Sequence, residues 1–287
     1  MPASMSVGLA QGLWKDGSNH RAAVVRPLTG ADEASFVDSI DLQSRPDRIS
    51  ALLGATVERI GELRWPGTRT IHELTIGDRE RLLLTLYSLT FGRPDISCVA
   101  QCSSLACGEQ IEFDVVVGNL LASPVAEPAH FHERNVFVAG THIRVEFRMP
   151  TGADQARAGE VAKRDLRQAG LVLLKNCLVV LEDAHGCLTP EDTLVQSITD
   201  PLSRALEEID PLTEARVDLA CPACGLRNQF AFDAATFLFA EIRRDDIFGE
   251  IDELARCYHW SEAEILTLPV VRRRRYLGLA RREGIAV

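Results

Sequence analysis

Hydrophobic residues recur along the chain with two different spacings, which predict helices in some segments and strands in others. Between residues 49 and 63 they recur every three or four positions, which indicates an amphipathic helix. Residues 82–89 form a second helical run, with Asp78 as a candidate N-cap and Gly92 suited to the left-handed residue beyond its end. Residues 166–181 are apolar on nearly every face, so we expect a deeply buried helix there.

Alternation of apolar and polar residues, which is typical of half-buried strands, marks three further segments. Two of them, residues 99–115 and 217–232, each surround a pair of cysteines. The third, residues 136–149, predicts a β-hairpin with its turn at residues 139–141. The pattern as a whole predicts an α+β fold that is mainly helical, with two cysteine-bearing β-hairpins, a further β-hairpin and a small helical module at the C-terminus.

The same pattern divides the chain into three parts. Residues 1–45 contain scattered Gly, Ser, Pro and Asp with one short apolar stretch around Val24, so we expect a loosely ordered arm with at most one short strand. Residues 46–257 are expected to form the α+β core. Residues 258–287 are expected to form the helical C-terminal module, in which Pro269 separates two helices.

The cysteines carry the most specific chemical signal in the sequence. Each of two pairs lies on a turn between predicted strands and is followed directly by Gly; the pairs are Cys102 with Cys107 and Cys221 with Cys224. Together they offer four thiolates, the ligand set of a tetrahedral structural zinc site. The Cys-x4-Cys spacing of the first pair is wider than that of a usual zinc knuckle, so Cys98 remains an alternative ligand. The two segments also look like weak internal repeats, each ending in Phe-Asp, at Phe113 and at Phe232.

Two other functions of the cysteines stay open at this stage. Cys221 and Cys224 could form a redox dithiol, but such a pair normally lies at a helix N-terminus, whereas Gly and a strand follow here. A zinc ribbon that binds nucleic acid would need a positive field. The chain instead has a formal net charge of −10. The charged residues near the cysteines are also mostly acidic: Glu109, Glu112, Asp114, Asp218 and Asp233 against Arg227.

The remaining sequence features do not favour an enzyme or a membrane protein. No apolar run reaches the ~18 residues needed to span a bilayer. Residues 1–17 lack the features of a secretory signal, so we expect a cytoplasmic, reducing compartment. We find no phosphate-binding loop, dinucleotide-binding motif, nucleophile elbow or kinase signature. His130 and His132 lie in a Pro-containing loop without a partner motif, and we expect them to be solvated.

Three motifs follow one another along the chain: LTIGDRERLLL at 74–84 with TFG at 90–92, DP at 210–211 with LACPACG at 219–225, and YHWSEAEILTL at 258–268 with RR at 272–273 and YL at 276–277. Taken in order, they resemble the T-even-type phage baseplate protein family, which is found in contractile phage tails and related contractile injection systems. The resemblance extends over about residues 70–280, and the first ~70 residues carry little of it.

The resemblance implies a non-enzymatic structural or assembly component of a baseplate, acting near the central hub. A structural zinc ion is then expected on Cys102, Cys107, Cys221 and Cys224, and the partners are expected to be other baseplate or hub proteins rather than nucleic acid or membrane. The C-terminal module offers a candidate docking surface with Trp260, Leu266 and Tyr276. The protein is expected in the cytoplasm during assembly and in the finished virion or injection particle.

Overall fold

A computed structural model describes residues 4–123, 125–138, 140–242 and 246–282. Helices account for 49% and strands for 27% of the structure, which confirms the predicted mainly helical α+β class. Within the described residues, no helix is both long and apolar enough to cross a membrane.

The described strands form two four-stranded antiparallel sheets and two separate hairpins. The first sheet contains, side by side, β1 (Met5–Lys15), β2 (Ser18–Val25), β3 (Val57–Ile60) and β4 (Leu63–Arg64). The first hairpin pairs β5 (Asp95–Gln101) with β6 (Gln110–Val116). The second sheet contains, side by side, β7 (His132–Val138), β8 (Thr141–Phe147), β9 (Leu178–Asp183) and β10 (Gly186–Cys187). The second hairpin pairs β11 (Arg216–Ala220) with β12 (Arg227–Ala231).

The helices connect these sheets and hairpins and cover them. Those in the first half of the chain are α1 (Gly30–Ser39), α2 (Arg45–Thr56), α3 (Gly67–Glu73), α4 (Ile76–Phe91) and α5 (Val117–Leu121). Those in the second half are α6 (Gly152–Ala162), α7 (Leu166–Cys177), α8 (Asp192–Ile209), the 3-10 helix Pro211–Glu214, α9 (Ala234–Glu241), α10 (Asp246–Tyr258), α11 (Glu262–Leu266) and α12 (Val270–Arg282).

Helix α4 runs through the larger of the two main hydrophobic cores. Its residues Leu82, Leu83 and Leu84 are fully buried, and β1, α5 and α9 pack around it. The smaller core lies between the second sheet and α8 and includes Phe147 and Val195. Because α4 is covered on all sides, its conformation depends on packing against elements from both ends of the chain.

The prediction of a loosely ordered arm at residues 1–45 is wrong. Residues 5–39 contain β1, β2 and α1, and Leu9, Leu13 and Val25 belong to the main core. Alternation is hidden in β1 because five consecutive residues are buried, from Leu9 to Leu13, around an irregularity in its pairing with β2. This stretch is buried on both faces since α4 packs against it.

Two predicted helices are shorter than their apolar spacing suggests. The helix predicted over 49–63 ends at Thr56, and β3 begins at the next residue. The run 166–181 is a helix only to Cys177 and continues as β9, and Leu166 is exposed rather than deeply buried. A continuous apolar run fits a buried strand as well as a helix, so spacing alone could not place these boundaries.

Other local predictions agree with the structure in part. Gly92 has φ 65° and ends α4 in the left-handed conformation, as predicted, but the N-cap is Thr75 rather than Asp78. The predicted hairpin at 136–149 is present as β7 and β8; Ala139 of its predicted turn lies outside the described residues.

The last three helices pack together and against the rest of the chain. Leu254 of α10 is buried with Ile265 and Leu277 of the predicted C-terminal module. Arg273 of α12 is buried and forms ion pairs with Glu33 of α1 and with Glu250 of α10. Residues 283–287 of the predicted module lie outside the described residues.

Candidate metal centre

The two cysteine-bearing loops lie at the ends of the two β-hairpins. The β5–β6 ladder ends at the pair Gln101 and Gln110, and the β11–β12 ladder ends at Ala220 and Arg227. Each loop closes with a glycine in the left-handed region, where a side chain would be strained; these are Gly108 (φ 61°) and Gly225 (φ 74°). We call these segments, residues 102–108 and 221–225, the cysteine loops. The left-handed backbone conformation at these two positions explains why Gly directly follows the second cysteine of each pair.

The structure brings the four predicted cysteines into one cluster. The Sγ atoms of Cys102 and Cys224 are 3.7 Å apart, those of Cys107 and Cys221 are 3.8 Å apart, and all four lie within 4.8 Å of one another. A tetrahedral zinc ion with Zn–S bonds of about 2.3 Å places its sulfur atoms about 3.8 Å apart. The sulfur positions therefore fit a single zinc ion shared by both loops.

Backbone N–H groups of the cysteine loops point at the sulfur atoms. The N–H groups of Cys224 and Ala223 donate to Cys221 and lower the pKa of its thiol to about 7. The backbone N–H of Ser104 donates to Cys102 and that of Leu226 to Cys224, while burial and the neighbouring thiols keep the pKa of both thiols above its ordinary value. Such donors stabilise thiolates, the form of cysteine that binds metal. The loops therefore direct backbone donors at sulfur atoms of the candidate metal centre.

An asparagine of β12 joins the first cysteine loop to the second hairpin. Asn228 is 3% exposed, and its Oδ1 accepts hydrogen bonds from the backbone N–H and the hydroxyl of Ser103, both at 2.8 Å. Its Nδ2 donates to the carbonyl of Leu226 at 2.8 Å. The side chain therefore fixes the first loop relative to the second hairpin and is not one of the four candidate ligands.

We expect Asn228→Ala to lower the free energy of unfolding by about 1–3 kcal/mol, because it removes a buried side chain, both hydrogen bonds that Ser103 donates to it and one of the two that the carbonyl of Leu226 accepts. Chemical denaturation of the zinc-loaded protein measures this loss. The neighbouring Gln229→Ala serves as the control, because Gln229 is exposed and contacts only surface groups. Equal stability of both variants would show that Asn228 does not join the first loop to the second hairpin.

Two stacked phenylalanine rings next to the cysteine cluster show how the two weak internal repeats correspond to each other in the structure. Phe113 stacks on Phe230, with ring centroids 6.1 Å apart and an angle of 20° between the planes. Each of these residues follows its loop glycine by five positions. In the structure, Phe113 therefore corresponds to Phe230 rather than to Phe232. The stretch from the loop glycine to this phenylalanine has the same length in both segments.

Cys98 does not join the cluster. It lies in β5, is 5% exposed and belongs to the main hydrophobic core, where burial raises the pKa of its thiol to about 11. His130 and His132 are also separate from it: in the described part of the chain, the four cysteines are the one group of three or more side chains placed to hold a metal ion. Cys221 and Cys224 lie between strands rather than at a helix N-terminus, an arrangement that does not favour a redox dithiol.

The charged motif at the start of α4 has a role that sequence reasoning missed. Asp78 was expected to cap the helix, but its carboxylate accepts hydrogen bonds from the backbone N–H groups of Ala10, Gln11 and Gly12 in β1. The side chain is fully buried, and burial together with the nearby carboxylate of Asp210 raises the pKa of Asp78 to about 6. Asp78 therefore holds the irregular part of β1 against α4.

Arg81 links the same motif to the end of α8. Its Nη2 is 3.1 Å from Oδ1 of Asp210, and its Nη1 donates to the carbonyl of Leu121 at 3.1 Å. A Cβ at Gly77 would lie 2.1 Å from Oδ2 of Asp210, so this position requires glycine. Two segments separated by more than a hundred residues, the GDRER and DP motifs, thus form one buried polar cluster. In the sequence, the signal that could have indicated this buried polar cluster is the high density of charged residues in GDRER, directly before the run of leucines in α4.

The predicted docking residues of the C-terminal module pack mostly against their own chain. Trp260 contacts Tyr258 and Tyr276, with ring centroids 4.9 Å apart in both pairs. Leu266 packs against the main core. Trp260, Leu266 and Tyr276 are all half-buried, so only part of each side chain remains for a partner.

Comparison with known families adds an independent observation. A family model described as "T4 bacteriophage base plate protein" matches residues 15–240. This range contains both cysteine loops and the cluster of Asp78, Arg81 and Asp210, whereas the motif at 258–268 lies beyond it. No curated protein and no solved structure matches the chain.

Proposed function

Because the chain belongs to the T4 bacteriophage base plate protein family, we propose that it is a non-enzymatic structural or assembly component of a contractile-tail baseplate, in a phage or a related injection system. The observation that carries this proposal is the family match over residues 15–240. The matched range includes both cysteine loops, so the candidate metal centre lies within the region that the family shares.

The four cysteine thiolates are proposed to bind one structural zinc ion. Zinc supplies four strong bonds and no redox chemistry, and a site with four cysteines leaves no position open for a substrate. Cys102 and Cys107 would contribute the first pair of bonds, and Cys221 and Cys224 the second. The ion would thereby fix the β5–β6 hairpin to the β11–β12 hairpin, and folding would be coupled to metal binding.

The proposed partners are other proteins of the baseplate and its central hub. An acidic chain with a net charge of −10 is poorly suited to bind nucleic acid or an anionic membrane surface through its overall field. We place the protein in the cytoplasm during assembly and in the finished virion or injection particle.

Disruption of the coding sequence tests the proposal. In the phage or bacterium that encodes the chain, we expect loss of contractile particles with complete baseplates in negative-stain electron microscopy. The wild-type gene supplied in trans should restore them. Normal numbers of complete, contraction-competent particles without the protein would contradict the proposed role, because a structural component cannot be omitted.

A further inference from the structure

A groove of 740 Å³ lies between α7 and α8 at the edge of the smaller core, which shares Leu174 and Leu206 with its lining. Its apolar lining includes buried Leu174 and Leu206 as well as Leu171. The hydroxyl of Thr213, which also lines the groove, is buried and has no hydrogen-bond partner among the described residues. Its size and apolar lining are suited to hold side chains of another helix.

The α8 wall of the groove is acidic. Asp200 and Glu207 lie on the stripe of α8 that lines it, and neither forms an ion pair with another described residue. Glu214 adds a third carboxylate near one end but is paired with Arg216. Arg167, on the α7 wall, is the single cation among the lining residues. The groove therefore favours an apolar helix face that carries positive charges on one side.

The outer face of α12 has this composition. It consists of residues that lie within about 100° around the helix axis, namely Val271, Arg272, Arg275, Leu279 and Arg282. Val271 and Leu279 are 52% and 41% exposed. Arg275 and Arg282 are exposed and form no ion pair within the described part of the chain. This face is an amphipathic surface with unpaired cations.

The spacing of the charges on the two elements agrees. Asp200 and Glu207 are seven residues apart in α8, and Arg275 and Arg282 are seven residues apart in α12. Seven helical residues span about 10.5 Å in both cases. A helix that lies along α8 can therefore place both arginines opposite both carboxylates at once, with Leu279 directed into the apolar groove.

We propose that the groove between α7 and α8 binds the outer face of α12 from a second copy of this chain. Arg273 on the opposite side of α12 is buried in ion pairs with Glu33 and Glu250, so α12 stays attached to its own chain while it presents this face. The groove and α12 are different surfaces, so the contact is head-to-tail and generates a ring or an open chain of copies. The proposal rests on these two surfaces and not on the proposed baseplate function.

Sedimentation of the purified, zinc-loaded full chain tests the contact. We expect wild-type protein to associate with increasing concentration, and less so in high salt, because the interface is partly ionic. Arg275→Glu with Arg282→Glu, and separately Asp200→Lys with Glu207→Lys, should each weaken association at least tenfold. A mixture of the two double variants should associate again, because the reversed helix then meets the reversed groove.

The matched control for the arginine variant is Arg59→Glu with Arg64→Glu, which makes the same change in net charge as that variant on exposed positions of β3 and β4. It should associate like wild type. Circular dichroism should show that all variants are folded: Glu207 is half-buried and the other substituted positions are exposed, where substitutions usually change stability by less than about 0.5 kcal/mol. Monomeric wild-type protein at every concentration, or equal loss of association in the control, would overturn the proposal, as would two groove-and-helix variants that fail to associate when mixed.

Discussion

Replacing Cys221 and Cys224 together by serine should abolish zinc binding and lower the free energy of unfolding by at least about 5 kcal/mol. Structural zinc contributes on the order of 10 kcal/mol to the folding of small zinc-binding peptides at neutral pH, and here it would join two hairpins that are distant in sequence. Elemental analysis of the purified protein measures the metal, with about one equivalent expected in the wild type. Chemical denaturation measures the stability.

Cys187→Ser is the matched control for this variant. Cys187 is exposed, lies in β10 and is not part of the cysteine cluster, so zinc content and stability should remain those of the wild type. Thiol titration adds a second readout, because the four clustered thiols should react only after a chelator removes the metal. Wild-type protein that contains no zinc, or a double variant that retains a full equivalent, would refute the metal centre.

Replacing Arg81 by methionine should lower the free energy of unfolding by about 3–5 kcal/mol, because it leaves the buried carboxylate of Asp210 without its cation. The same change also removes the nearby positive charge from Asp78 and the hydrogen bond to Leu121. Chemical denaturation at constant zinc concentration measures the loss. The zinc content should be unchanged, since none of these side chains belongs to the cysteine cluster.

Two further variants separate the ion pair from general damage. Arg134→Met removes an exposed partner of Glu208, and we expect it to cost less than about 1 kcal/mol. Asp210→Asn keeps the shape of the side chain beside Gly77, so adding it to Arg81→Met should restore part of the stability. Additive losses in the double variant would show that Arg81 and Asp210 do not stabilise each other.

The local features of the candidate site could be predicted from sequence because they depend on near neighbours. The Gly after each cysteine pair indicates a left-handed turn, and alternation on either side indicates a hairpin; both are present in the structure. The four candidate ligands were also named from spacing alone, and the structure brings them together. Their joint use as a zinc site remains a prediction that the metal analysis above tests.

The errors arose where burial comes from distant elements. β1 lacks visible alternation because α4 covers it, and the run 166–181 changes from helix to strand at Leu178 because β9 pairs with β8. Asp78 occupies a position typical of a helix N-terminus, yet its partners are backbone groups more than sixty residues earlier in the chain.

The sequence by itself determined the mixed fold class, the two glycine-closed cysteine turns and the helix at 82–89, because these follow from backbone preferences and hydrophobic spacing over a few residues. Only the tertiary structure decided that Cys102 lies beside Cys224 and Cys107 beside Cys221, that Cys98 stays in the core, and that Arg81 meets Asp210. Each of these contacts joins segments that approach one another only when the whole core packs, and no short-range pattern records that approach.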